Sequence, residues 1–229
     1  MTDVDLRILD DPAAAAAELL ADAARAGSRI ALAGGSTVAP AFERAAALEP
    51  AWSRAELYWG DERAVSPDDE RSNYRIARAA LLDRLLTAPR AVHRIEGERG
   101  AEPAAAAYDE LLRDVVLDLA LNGIGGDGHT ASLFPYSPAL EVTDRRAVAA
   151  DAGLEPFVPR VTLTPPVFAA TATVVYLVAG EGKADAVRRA FAEEPSADAP
   201  ASLVRGRKTV VLLDPDAASG LHSSLQIPI

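Results

Sequence analysis

An acid and an imidazole, Asp127 and His129, stand two residues apart in the stretch Asp118–Pro135, DLALNGIGGDGHTASLFP. An apolar run, Leu117–Asn122, leads straight into this glycine-rich turn, and Pro135 closes it. Glycines let a backbone approach a ligand closely and free its N–H groups to bind anions. A histidine at a strand end can move protons near neutral pH. The turn therefore suits a small anionic ligand and a proton transfer, with His129 as the acid–base group and Asp127 beside it as an orienting or charge-stabilising partner. The other two histidines, His93 in a short strand pattern and His222 in a polar tail, read as structural or surface residues. No HExxH or other second ligand set accompanies Asp127 and His129, so no metal is expected. Ser132 lies outside any G-x-S-x-G elbow and is not expected to be a nucleophile.

Three further segments carry chemistry. Gly34-Gly35-Ser36-Thr37 lies between a strand pattern and a helix pattern. Backbone N–H groups, hydroxyls and a helix dipole there would cradle a phosphate, although the lysine and spacing of a nucleotide P-loop are missing. Gly60-Asp61-Glu62-Arg63 places two acids and an arginine just past a strand, where they could bind a polyol, orient a base or hold an anion. Lys183, one of only two lysines, follows Gly180 and Gly182 at an expected helix start and would complement a phosphate. The pattern Gly123-x-Gly125-x-x-Gly128 matches a dinucleotide fingerprint in spacing alone. Pro135 leaves only a short helix after it, and the fingerprint needs a full crossover helix, so no dinucleotide is expected.

These segments need a scaffold that brings strand ends together. Strands are expected at Arg29–Ala33, Glu56–Trp59, Val92–Ile95, Leu117–Asn122, Ala147–Ala150, Arg160–Leu163, Thr173–Val178 and Thr209–Leu213. Helices are expected at Pro12–Arg25, Pro40–Leu48, Asn73–Leu86, Pro103–Asp114 and Lys183–Ala192. Many of the strands are continuous apolar runs, as when both sheet faces are covered. The alternation predicts an α/β fold, an open, mostly parallel Rossmann-like sheet with helices on both faces, in one domain over residues 1–229. Ligands of such sheets bind at the carboxyl ends of the strands, where LAGGST, YWGDER and NGIGGDGHT fall.

Composition narrows the classes. A net charge of −11 argues against nucleic-acid and anionic-membrane partners. The absence of cysteine excludes disulfides, thiolate metal sites and cysteine nucleophiles. No apolar run is long enough to span a membrane, and the acidic N-terminus lacks the order of a signal peptide, so a cytoplasmic location is expected.

Taken together, LAGGST at Leu32–Thr37, GDERAVSPDDERSNY at Gly60–Tyr74 and GIGGDGHTASLFP at Gly123–Pro135 resemble the glucosamine-6-phosphate isomerase/6-phosphogluconolactonase family. RVTLT at Arg160–Thr164, VAGEGKADAV at Val178–Val187 and PASLVRG at Pro200–Gly206 extend the resemblance over nearly the whole chain. Asp61-Glu62-Arg63 and the run after His129 are closer to the lactonase branch than to the deaminase branch. Val38 stands where a proline commonly follows GGST, and Tyr136 where a glycine commonly follows LFP. The resemblance implies a fold related to the ribose-5-phosphate isomerases. It also implies hydrolysis of 6-phospho-D-glucono-1,5-lactone in the oxidative pentose phosphate pathway, with no cofactor and no required metal. His129 would then be the base, Asp127 its partner or an orienter of water, and Arg63 the group near the oxyanion or product carboxylate. Gly34, Gly35, Ser36, Thr37, Lys183 and Arg160 would hold the phosphate, with Asp61 on the sugar. The partner is a small phosphosugar lactone, acted on by a monomer or small homo-oligomer. Amino-sugar deamination with Asp61 as proton shuttle, or a non-catalytic sugar-phosphate sensor, are the rival readings.

Overall fold

The computed structural model describes residues 3–48, 51–155 and 157–221. His222 therefore lies outside the described residues. Numbered in chain order, β1 (Asp3–Ile8), β2 (Arg29–Leu32), β3 (Glu56–Trp59), β5 (Ala91–Val92), β6 (Leu119–Asn122), β9 (Thr173–Val178) and β10 (Lys208–Leu213) form one sheet. Its order is β1-β10-β9-β6-β2-β3-β5, and every neighbouring pair is parallel. Consecutive buried residues along β2, β6, β9 and β10 show that both faces of this sheet are covered.

The α-helices are α1 (Pro12–Ala26), α2 (Ala39–Leu48), α3 (Asn73–Ala80), α4 (Ala101–Leu111), α5 (Pro165–Ala170) and α6 (Ala184–Phe191). Local chemistry sets their ends. Asp11 caps α1 by accepting from the Ala14 N–H at 3.1 Å, and Gly27 closes it at φ +78. Alanines give α1 low bulk on its packed face: Ala16, Ala17 and Ala24 are fully buried, so the helix packs closely on α2 and the sheet.

Several expectations shift. Ala147–Ala150 (β7) and Arg160–Leu163 (β8) do not join the large sheet. They pair antiparallel with β4 (Asp61–Arg63) as a second, three-stranded sheet, β4-β8-β7. Two acids and an arginine read as a polar turn, yet pairing with β8 makes them a strand, because cross-strand partners outweigh intrinsic preference. The expected strand Val92–Ile95 is confined to Ala91–Val92 at the sheet edge. Helix α3 ends at Ala80 rather than Leu86, because Leu81 turns to φ −124, ψ −68 and buries its side chain fully. Pro135 is not preceded by a helix at all: the segment after β6 is built of turns. β1 and α5 were not expected. β1 is a charged edge strand whose Val4 and Ile8 stay partly exposed, and α5 is only six residues long.

Tyr136 has φ +58, a left-handed backbone, and its side chain is 74% exposed. That explains why glycine suits this place: a Cβ in this region costs about 1–2 kcal/mol. Glycine itself loses about 0.5–1 kcal/mol through the unfolded chain. Tyr136→Gly is therefore expected to stabilise the fold by roughly 0.5–1 kcal/mol, raising Tm by about 1–3 °C in calorimetry. A lowered Tm would mean that the tyrosine ring makes compensating contacts.

Candidate active site

Four neighbouring strands, β9, β6, β2 and β3, deliver their following loops to one cleft at the carboxyl edge of the large sheet. The cleft encloses about 290 Å³, at the small end for a ligand pocket. Gly34–Thr37 line it after β2, Asp61 and Arg63 after β3, His129 after β6 and Lys183 after β9; Arg160 enters from β8. Every residue expected at the site thus lines the cleft except Asp127, which stands behind the imidazole.

The imidazole is clamped on several sides. Asp127 Oδ1 lies 2.5 Å from His129 Nδ1 and also accepts from the His129 backbone N–H at 3.1 Å. Nδ1–H donates to this carboxylate, which leaves the lone pair of the neutral tautomer on Nε2. Burial works to raise the Asp127 carboxyl pKa, but the hydrogen bond and charge of His129 outweigh it and hold the group below its ordinary value. The Phe134 ring packs on the imidazole at 4.6 Å between centroids. Beneath the ring lies Gly125, where a Cβ would sit 2.0 Å from Nδ1. The turn is closed by Gly125 N–H donating to His129 O at 2.8 Å and Gly128 N–H to Gly125 O at 2.9 Å.

On the opposite wall the chain steps from β3 into β4 through Gly60 alone. Asp61 is buried and accepts from the Ser132 hydroxyl at 2.6 Å and the Asn73 amide at 3.0 Å. Glu62 points the other way. Its buried carboxylate accepts from the backbone N–H groups of Arg63, Asn73 and Tyr74 and from the Ser72 hydroxyl, which seats the start of α3. Burial raises the Glu62 pKa, and these donors counteract part of that rise. Asn73 then rests against the phosphate-type loop: a Cβ on Gly34 would meet its Oδ1 at 1.8 Å. Gly35, at φ +98, needs the freedom of glycine for the turn itself.

Three cations face the cleft, in a chain of net charge −11. Arg63 and Arg160 are direct cross-strand partners, an unfavourable placement for like charges. Burial first, and then the Arg63 charge, lower the Arg160 pKa, while Asp61 and Glu62 oppose this. The Arg63 guanidinium donates to the Arg71 carbonyl, and its buried Nε has no partner among the described residues. Lys183, at the end of a short 3₁₀ turn before α6, forms no ion pair among the described residues. Such a set suits an anion with a polar body. Sequence reasoning missed Asn73, grouped Glu62 with the cleft acids although it seats α3 instead, and considered Ser132 only as a nucleophile. All three lie inside the quoted motifs GDER…SNY and DGHTASLFP, but only their contacts reveal what they do. His93 lies apart, stacked on Tyr58 at 4.6 Å. Among the described residues, no three His, Asp or Glu side chains are grouped to hold a metal ion, and no helix is long and apolar enough to cross a membrane.

A model of the family described as glucosamine-6-phosphate isomerases/6-phosphogluconolactonase matches residues 7–212. The 6-phosphogluconolactonase of Nostoc sp. is 37% identical over 209 residues, covering 86% of this chain and 85% of the relative. That of Mycobacterium leprae is 40% identical over 182 residues, covering 73% of this chain and 74% of the relative. The crystal structure of 6-phosphogluconolactonase from Leishmania guyanensis superposes with a TM-score of 0.82 at 29% identity, covering 95% of this chain and 98% of that one.

Gly125→Ala is expected to push the imidazole off its seat, while Gly182→Ala, where a Cβ meets nothing within 4 Å, leaves it in place. Nitrogen-detected NMR of the His129 ring checks this through the Nδ1–H signal hydrogen-bonded to Asp127. Retention of that signal in Gly125→Ala would show that the loop absorbs the extra methyl.

Proposed function

Since the chain belongs to the glucosamine-6-phosphate isomerase/6-phosphogluconolactonase family, we propose that it hydrolyses 6-phospho-D-glucono-1,5-lactone to 6-phospho-D-gluconate, within the oxidative pentose phosphate pathway. The observation that carries this reading is the clamped imidazole, with Nε2 facing chemistry, in a cleft that also holds a phosphate-type loop and three cations.

A lactone is already an activated ester, so the enzyme must position water, remove its proton and stabilise the oxyanion. In this mechanism His129 Nε2 takes a proton as water forms its bond to C1. The carbonyl π pair moves onto oxygen, and Arg63 stabilises the resulting oxyanion. Collapse of that intermediate breaks the bond between C1 and the ring oxygen. The imidazolium returns its proton to that oxygen, and the new carboxyl group loses its own proton to solvent. Asp127 keeps the ring in the right tautomer and steadies the imidazolium between the two transfers. Gly34–Thr37, Lys183 and Arg160 hold the phosphate, whose remote binding energy fixes C1 against the water. No metal or cofactor takes part in this scheme, and the enzyme would work in the cytoplasm as a monomer or small homo-oligomer, a single unit over residues 1–229.

With fresh substrate and correction for spontaneous hydrolysis, His129→Ala is expected to lower kcat by roughly 100- to 10,000-fold while the fold survives. Near wild-type kcat in that variant would overturn the assignment of the base. Release of ammonia from glucosamine 6-phosphate, without lactone hydrolysis, would favour the deaminase branch instead.

The phosphate assignment has its own test. Charged hydrogen bonds of about 1.5–3 kcal/mol each should give at least about a 100-fold preference in kcat/KM over unphosphorylated glucono-1,5-lactone. Lys183→Ala is expected to raise KM more than it lowers kcat, because the contact exists in ground and transition states alike. Equal kcat/KM for the two lactones would remove the phosphate site.

A further inference from the structure

Asp61, expected on the sugar, takes no step in the chemistry just described, and among the described residues it is the one carboxylate lining the cleft. Its two oxygens are each tied once. Oδ2 accepts from the Ser132 hydroxyl at 2.6 Å, and Oδ1 from the Asn73 amide at 3.0 Å. A carboxylate offers about four acceptor positions, so each oxygen keeps capacity after these bonds. Both donors are themselves held rigidly. Ser132 is fully buried, and its backbone N–H donates at 3.2 Å to the hydroxyl of Thr162, the cross-strand partner of Asp61. Asn73 is seated by Glu62 through its backbone N–H at 2.8 Å, and its amide also donates to the Asp61 carbonyl at 2.9 Å. The carboxylate therefore cannot swing away to meet a cation, although Arg63 lies two residues along the same strand. An acceptor-only group, pinned by neutral donors and facing a cleft, is suited to neutral hydroxyl donors rather than to another anion.

We propose that Ser132 and Asn73 are positioning residues which aim the Asp61 carboxylate at one ring hydroxyl of the sugar. This rests on the reading that the cleft binds a phosphosugar with Asp61 on its sugar body, and it adds the residues that fix the aim of that carboxylate. The phosphate loop and the base would then act on two ends of a molecule whose middle is fixed by Asp61. Specificity would follow from geometry, since a hydroxyl absent or inverted leaves the buried carboxylate short of a donor.

The test compares wild type, Ser132→Ala, Asn73→Ala and Asp61→Asn on 6-phosphogluconolactone and its 2-, 3- and 4-deoxy analogues. Dissociation constants for 6-phosphogluconate and its matching deoxy forms are measured alongside, with Tm as a control for folding. Each variant is expected to lose about tenfold or more in kcat/KM on the full lactone. On one and the same deoxy analogue, that loss should shrink to about twofold or less, because the hydroxyl being read is already gone. Ser132→Ala removes one atom and Asp61→Asn is isosteric, so failure of Asn73→Ala to fold would leave the test intact. Equal losses on every analogue, or no loss at all, would overturn the proposal. A wild type that binds 6-phosphogluconate with this analogue pattern but hydrolyses no lactone would defeat the functional reading while leaving the hydroxyl reader standing. Absence of any binding would overturn both.

Discussion

The contact between the His129 imidazole and the bare backbone of Gly125 is the constraint on which the site depends. With 2.0 Å between Nδ1 and the place where a Cβ would sit, no other residue type leaves the ring room. Because the ring sits that low, Asp127 reaches Nδ1 at 2.5 Å from within the same turn, and Phe134 covers the ring from the other direction. The loop thus acts as its own mould. It needs no second element to orient the imidazole, and only Nε2 is left for chemistry. The following segment has a second use: Ser132 crosses to the opposite wall and bonds Asp61, so one turn positions groups on both sides of the cleft.

The opposite wall owes its shape to a change of sheet. A single residue, Gly60, separates β3 of the parallel sheet from β4 of the antiparallel one. That step places Asp61, Arg63, Arg160 and Thr162 side by side through β-pairing rather than through a flexible loop. It also sets Arg63 against Arg160, an arrangement that Coulomb repulsion disfavours and nearby carboxylates only partly relieve. An anionic substrate would complete the balance. The net charge of −11 gives no hint of this, because the positive charge is local to the cleft.

Much of this was legible in the sequence, for identifiable reasons. Short continuous apolar runs rich in β-branched residues, such as Thr173–Val178, read as buried strands, and the glycine-rich segments after them mark the carboxyl edge of the sheet. Gly34, Asp61, Arg63, His129, Arg160 and Lys183 stand in motifs that the sequence marks out, and all line the cleft. The second sheet was not legible, because β4 is three polar residues whose strand character comes entirely from its partner β8. Nor were the parts played by Asn73, Ser132 and Glu62. A buried carboxylate capping a helix start looks, in sequence, like any acid near a turn; only the four donors around Glu62 distinguish it. The β1 edge was missed although DVDLRI alternates polar and apolar residues strictly, because the continuous apolar runs of the central strands dominate the pattern.

The central claim is that the two ends of one phosphosugar meet two different parts of the cleft. A crystal structure with 6-phosphogluconate bound tests it most directly. The account expects the phosphate on the Gly34–Thr37 loop and Lys183, and the C1 carboxylate within about 3.5 Å of His129 Nε2, directly or through one water. A reversed ligand, with its phosphate against His129 and its carboxylate on Lys183, would contradict it.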